Sequence, residues 1–491
     1  MNSSSSSLSP DPNAARRWWW LYAIAAASFL PALGFYYVGE EAIFPKSALE
    51  MWWHGEPIRR LLFGVDLQHN PLFTWLIIPL SALAGWDSML VVTRAITIAA
   101  TVLSGLVLAG LAQALYGSRL FSAIAAVIYL TLLDLFLYRG WLAYVDPLFG
   151  LLVFAAITAL WLACERRSAV WLGLAVLALS GAFLAKALTA YAFYGGAALV
   201  LLLRGHWRFL LSPASWVLHG AALVFPLLWF RMVMASSGQG TRMFSEIVAK
   251  LMPQSFTEYG LKLLAYPLET LFCLAPAGVI ALWLLLRRRV DMGGDRHLLT
   301  AALILLAGLL PYWLAPQSHV RYLVPLYPLA GLVIARILWL AGEGALGMTR
   351  KWLIGLIVIK LAVVLVAFPL YQQRYRGANY AEAAQAIIAR TAGQPLYTLN
   401  VSASGLSVTA YIDVARLPLQ PLAFPPAGWQ DGFVLAYDPD DQIGPVVEQY
   451  RLGGNTLYLL CRGSACAPQP PAAPLPEVQP AEVQPAEGLR R

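Results

Sequence analysis

Apolar runs long enough to cross a bilayer recur along most of this chain, and that recurrence restricts it to one kind of fold. A hydrocarbon core about 30 Å thick takes roughly 20 residues of helix, and every backbone polar group inside it must be satisfied within the protein. Such runs predict about eleven spans, at 18–38, 91–116, 120–138, 146–163, 169–186, 188–204, 214–234, 266–286, 298–315, 322–341 and 352–370. With 59% hydrophobic residues and a mean hydropathy of +0.64, the chain reads as an α-helical polytopic membrane protein. Its 18 Trp and 22 Tyr suit the aromatic belts at the two membrane surfaces. The net charge of +8 is therefore to be sorted by loop and is no nucleic-acid signal.

Arg16 and Arg17 precede the first run, which places the amino terminus inside. Asn70–Gly85 is apolar but short and interrupted by Pro79, so it is expected as an interfacial or partly inserted helix. With that choice Arg119, Glu165-Arg166-Arg167, Arg204 with Arg208, Arg287-Arg288-Arg289 with Arg296, and Arg350-Lys351 all fall on the cytoplasmic side. Counting Asn70–Gly85 as a span would put these basic clusters outside. The external segments are then Arg139–Asp146, Ala235–Ala265, Pro316–Arg321 and everything after Tyr371.

The ends differ from the middle. Residues 1–17 are Ser-rich and expected as a disordered cytoplasmic tail, and 18–370 as the transmembrane unit. Residues 371–466 predict a small α/β C-terminal extracytoplasmic domain. LYTLNV, GFVLAY and TLYLLC read as buried strands there, with helices at Tyr380–Arg390 and near Ser402–Ile412 and Asp441–Tyr450. Residues 467–491, Pro/Ala-rich with a repeated EVQPAE, are expected as a disordered tail. Cys461 and Cys466 stand five apart on the external side, where an oxidising compartment favours a local disulfide. Cys164 and Cys273 read as packing residues.

Most of the candidate chemistry sits at span mouths on one side. Val38–Pro71 is a polar island that carries Glu40, Glu41, Lys46, Glu50, His54, Glu56, Arg59, Arg60, Asp66 and His69 among apolar and aromatic residues. The interleaving predicts amphipathic juxtamembrane helices lying flat on the membrane; a solvated connecting loop is the plainer reading. Adjacent acids beside a span are costly near lipid and need a reason to be there. Arg139 and Asp146 frame YRGWLAYVD, although Asp followed by Pro also suits a helix start. Lys186 is a lone charge in FLAKALTA, where snorkelling to the interface is the alternative. His319 and Arg321 stand at the mouth of a later span.

The order of these residues resembles the C-type glycosyltransferase superfamily (GT-C), in its branch of protein O-mannosyltransferases and bacterial lipid A aminoarabinose transferases. The resemblance covers roughly residues 18–370: an acidic pair after the first span, an x-H-x-P-L element at His69, Arg139-x6-Asp146, a span bearing Lys186, and R-Y-L-x-P-L-x-P from Arg321. GEEA stands where that family usually has Asp-Glu-Ala, and QHNPL where it usually has D-H-P-P-L.

The resemblance implies an inverting, polyprenyl-phosphate-sugar-dependent glycosyltransferase, of hexosyl or pentosyl type. Its place would be the bacterial cytoplasmic (inner) membrane. It would move a sugar from the lipid-linked donor to lipid A, another envelope glycan or a protein, on the outer face. Glu40, Glu41 and Asp146 are then the candidate catalytic acids, since an attacking hydroxyl needs a base. Lys186 and Arg321, with His319, Arg139 and His69, are the candidates for donor phosphate binding. No cofactor is required by this chemistry; a divalent cation shared by Glu40, Glu41 and Asp146 is the alternative. Two other classes remain open on the residues alone: a lipid or oligosaccharide transporter, and a non-catalytic GT-C-like partner.

Overall fold

The computed structural model describes residues 12–67, 70–237, 252, 253, 255–287, 290, 294–375, 377–399, 402–439 and 443–467. The membrane part is a bundle of helices: α1 (Pro12–Ala27), α2 (Ile43–His54), α3 (Leu72–Ala84), α4 (Met89–Tyr116), α5 (Arg119–Leu130), α6 (Asp146–Arg166), α7 (Ala169–Ala185) and α8 (Thr189–Leu201). It continues through a short α9 (Trp207–Leu210), α10 (Pro213–Ser237), α11 (Phe256–Cys273), α12 (Ala277–Leu286), α13 (Arg296–Leu314), α14 (Tyr327–Leu340), α15 (Glu343–Ala362) and α16 (Phe368–Arg374).

Each of the eleven expected runs falls on helix, but the runs are not equally long. Among the described residues, six helical stretches are long and apolar enough to cross a membrane alone. They are Trp86–Tyr116, Asp146–Arg166, Pro213–Val233, Arg296–Leu314, Val320–Leu340 and the stretch that begins at Glu343. Helices α5 and α7 are apolar but shorter. The expected straight span 266–286 is instead α11 and α12, bent by 114°. Pro276 explains the break, because it has no N–H with which to continue the ladder. Helix α11 also begins at Phe256, within the stretch expected as an external loop.

The first span departs from expectation at both ends. Helix α1 starts at Pro12, where Pro suits the first helical position, so residues 12–17 are helix and not tail. It stops at Ala27 and gives way to a 3-10 turn, Leu30–Gly34. Residues 1–11 and 468–491 lie outside the described residues. Helix α3 has 13 residues with Pro79 inside it, about 20 Å, too short to span and in keeping with a partly inserted helix.

The charged residues gather at two opposite ends of the bundle. At one end Glu165 meets Arg296 at 3.1 Å and lies 3.8 Å from both His206 and His297, while Asp295 holds Arg336 at 2.5 Å. The candidate acids are at the other end. Asp146 opens α6 and Glu165 is near its close, so the two clusters stand about 30 Å apart along one 21-residue helix.

The C-terminal part is a small α/β unit. Helix α17 (Asn379–Arg390) and α18 (Ala403–Ala415) pack with a sheet of β3 (Leu396–Thr398), β4 (Gly432–Ala436), β5 (Val446–Leu452) and β6 (Asn455–Arg462). Strand order is β3-β4-β6-β5, with β3 parallel to β4 and the rest antiparallel. The second half of the helix expected at Asp441–Tyr450 is thus strand β5. Val446, Val447 and Tyr450 favour a strand, and Gly453, at φ 68°, turns it into the hairpin with β6. Cys461 on β6 is joined to Cys466 by a disulfide.

Val38–Pro71 also differs from the expected run of surface helices. It holds a single helix, α2, followed by a hairpin of β1 (Arg60–Leu62) with β2 (Val65–Leu67). Phe63 and Gly64, both at positive φ, form its turn, and their N–H groups donate to the Glu50 carboxylate at 2.9 and 3.1 Å. Helix α2 is covered by protein: Lys46, Ser47, Leu49 and Glu50 are all buried. Its polar side faces the C-terminal unit, where Lys46 pairs with Asp413 of α18 and, at 3.2 Å, with Glu50. Tyr37 packs on Tyr411 and Phe63 on Phe424, each with ring centroids 5.3 Å apart.

Candidate active site

The two adjacent acids behave differently. Glu41 is completely buried, and both its oxygens are occupied. Arg94 of α4 donates to it from Nε (3.0 Å) and Nη2 (2.5 Å), the Val38 N–H at 2.8 Å and the Ala143 N–H at 2.6 Å. The remaining Arg94 donors reach the carbonyls of Ala32, Phe35 and Tyr36. One buried ion pair thereby ties α4 to the chain leaving the first span and to the loop before α6. Glu40 is exposed, and its backbone N–H donates to the Tyr144 hydroxyl at 3.2 Å. Gly39 beside it sits at φ 59°, and a Cβ there would stand 3.2 Å from that same hydroxyl. The turn that presents Glu40 is therefore a glycine turn.

Asp146, at the start of α6, forms an ion pair with Lys186, the residue that caps α7. The Lys186 ammonium also lies 5.2 Å from the ring centroid of Tyr322 and 5.6 Å from that of Phe149. Arg321 stands on the 3-10 turn Val320–Leu326, with its guanidinium 5.1 Å from the same Tyr322 ring and a 3.2 Å hydrogen bond to the Tyr322 hydroxyl. Since both cations stand just over 5 Å from one centroid, they are at most about 10 Å apart. Arg321 is also within electrostatic reach of Asp146 and Glu40. Two acids and two cations from four separate parts of the chain thus share one neighbourhood.

Arg139 and His319 stand on its far side. They line a cavity of about 490 Å³ together with Arg321, Glu269, Leu268 and Phe272. Arg139 ends a π-helical turn, Leu135–Arg139, and its Nε donates to Asp134 at 2.8 Å. Asp134 in turn accepts from the Tyr327 hydroxyl at 2.7 Å. A second cavity of about 550 Å³ adjoins the first and shares Glu269, His319 and Arg321 with it. His69 lies outside the described residues. Of the three acids considered for a shared cation, Glu41 is held by Arg94 and Asp146 by Lys186. Among the described residues no group of three His, Cys, Asp or Glu side chains is arranged to hold a metal ion.

Sequence reasoning had missed Arg94, Tyr144, Tyr322, Asp134 and Glu269. For Arg94 a signal existed, since an arginine inside an apolar span demands a partner. Tyr144 and Tyr322 carried no such signal, because aromatic residues at span mouths are common.

No protein-family model and no curated protein matches the sequence. Solved structures do match. ArnT from Cupriavidus metallidurans bound to undecaprenyl phosphate superposes with a TM-score of 0.67 at 16% identity, over 92% of this chain and 99% of that one. The apo form of the same protein gives 0.63 at 17% identity, over 93% and 100%. The arabinosyltransferase EmbB from Mycobacterium smegmatis matches at 0.46 and 14% identity, over 66% of this chain and 31% of that one. ArnT is a membrane glycosyltransferase of the GT-C superfamily. In its architecture, this chain has the fold of ArnT.

Proposed function

We propose that this protein is an inverting glycosyltransferase that takes a sugar from a polyprenyl-phosphate carrier and delivers it to an envelope acceptor on the outer face of the cytoplasmic membrane. The observation that carries the reading is the meeting of Glu40, Asp146, Lys186 and Arg321 beside a cavity edged by apolar residues. A lipid phosphate needs cations at the membrane surface with an apolar approach to them. ArnT, which shares the fold, holds undecaprenyl phosphate.

In this reading Glu40, the exposed acid, takes the proton of the acceptor hydroxyl as its oxygen attacks the anomeric carbon. The bond from that carbon to the phosphate oxygen breaks, and its electron pair leaves on the phosphate. Lys186 and Arg321 stabilise the growing negative charge, with His319 and Arg139 alongside. Asp146 holds Lys186 in place. Glu41 serves position, not proton transfer, because its oxygens are already filled. Cationic side chains meet the phosphate directly, so no metal ion enters the scheme.

Mass spectrometry of envelope lipids, glycans and proteins with and without the gene tests the reading. A species that loses the mass of one sugar on deletion is expected, and it would name both sugar and acceptor. If no species changes and the purified protein neither carries nor cleaves a polyprenyl-phosphate sugar, the enzyme reading fails.

A further inference from the structure

The second cavity belongs to one side of helix α11. Tyr259, Lys262, Tyr266 and Glu269 recur at intervals of three and four residues and so share a face, and all four line it. The neighbouring stripe of Leu261, Leu264, Leu268 and Phe272 is exposed, as a lipid-facing surface would be. A carboxylate such as Glu269, next to that stripe, is expensive near lipid unless something occupies the groove it faces. Lys262 is within electrostatic reach of it but makes no ion pair with it. Its ammonium donates to the carbonyls of Tyr312 (3.0 Å), Trp313 (2.6 Å) and Ala315 (2.6 Å) and to Ser318 Oγ (3.0 Å), which caps the end of α13. Among the described residues no ion pair holds Glu269.

The two cavities therefore differ in character across a shared border. Both are lined by Glu269, His319 and Arg321; the first adds apolar Leu268, Phe272 and Val320 with Arg139. The second adds Tyr259, Tyr266 and Tyr322 with Glu258 and Lys262. An amphiphile with a phosphate at its waist fits that division: prenyl chain toward the first, phosphate on Arg321 at the border, polar head in the second. We propose that the second cavity is the sugar subsite of the lipid-linked donor, and that Glu269 is its specificity-determining residue. This rests on the reading of the previous section. A carboxylate only accepts hydrogen bonds, so Glu269 takes sugar hydroxyls and repels a sugar that bears its own carboxylate.

The test uses the full-length protein in lipid nanodiscs and measures binding by native mass spectrometry. The probes are undecaprenyl phosphate alone and the same lipid bearing glucose or glucuronic acid. The unmutated protein is expected to hold the glucosyl lipid about tenfold or more tighter than the glucuronosyl one, the scale of a hydrogen bond to a charged group. Glu269→Gln keeps size and removes the charge. It should shrink that preference to within about threefold; because both glycolipids carry the same phosphate and chain, any effect of Glu269 on those parts cancels in the ratio. Glu269 is exposed, so folding should survive the change. A preference that persists in Glu269→Gln, or that is absent from the unmutated protein, overturns the assignment while the donor reading stands. If bare undecaprenyl phosphate does not bind at all, the lipid-donor reading falls, and the sugar subsite with it.

Discussion

Glu41 and Arg94 are joined by two hydrogen bonds in a site that water does not reach, and between them they hold three separate backbone segments. Breaking such a pair leaves one buried charge uncompensated, which typically costs about 3–5 kcal/mol. Glu41→Gln should therefore lower thermal stability and the yield of folded protein. The check is Tm in detergent, and an unchanged Tm would show that the pair has no structural role.

Glu40 should give the opposite pattern. Its side chain is exposed, so Glu40→Gln is expected to leave Tm within the spread of the unmutated protein. General-base terms are about 10²–10⁴-fold, and transfer should fall by that much. A loss smaller than about tenfold would move the base role to Asp146. Glu40→Asp should keep partial activity.

The shared Tyr322 ring puts Lys186 and Arg321 at most about 10 Å apart, and in the proposed reading the two grip one phosphate. Arg321→Lys retains the charge but loses the planar fork, so it should reduce turnover by more than charge alone suggests. Lys186→Ala removes a cation and also leaves Asp146 without its partner. For both positions kcat should drop more than the affinity for donor, because leaving-group charge grows toward the transition state. A change in KM alone would assign them to ground-state binding.

Burial pushes the Asp413 carboxyl from 3.8 up to about 6. Folding thus favours the protonated form more than the unfolded chain does, against the pull of the Lys46 ammonium. The carboxyl's contribution is complete below the unfolded value near 4 and is lost as pH rises through about 6. The folded state should thus gain from this group between pH 7 and pH 5, read as a rise in Tm in detergent on acidification. Asp413→Asn should flatten that dependence. If Tm of the unmutated protein and of Asp413→Asn changes alike between the two pH values, the carboxyl is not shifted as described.

Orientation can be read with single cysteines in a background where Cys164 and Cys273 are replaced. Gln420→Cys, in the C-terminal unit, is expected to react with an impermeant maleimide added outside intact cells. Glu343→Cys, at the basic end, should react only after permeabilisation. Labelling in the reverse order would invert the topology and remove the outer-face reading.

Hydropathy made the bundle legible, because apolar length is a property of local sequence. It did not reveal the 114° break, although Pro276 marks the spot, since many span prolines only kink a helix. The helix expected over Asp441–Tyr450 failed for a local reason too: the Gly453 turn and paired valines outweighed its polar start. The site was partly visible. Lys186, Arg321 and Asp146 stood out as charges at span mouths, and they do converge. What the residues alone did not separate was Glu40 from Glu41. That distinction depends on Arg94, 53 positions away. The partnership of Lys46 with Asp413 spans 367 positions and leaves no mark in either neighbourhood.

The C-terminal unit touches the same stretch of chain that presents Glu40, through Tyr37 with Tyr411, Lys46 with Asp413, and Phe63 with Phe424. The Gln372 side chain adds two hydrogen bonds to the backbone of Tyr36. Cap and loop are consequently one interlocked part made from distant portions of the gene. Anyone building hybrids between this protein and an ArnT to move acceptor preference should exchange residues 36–67 together with 371–467. A graft of the cap alone would set foreign side chains against Tyr37, Lys46 and Phe63 and shift the acid two residues from Val38.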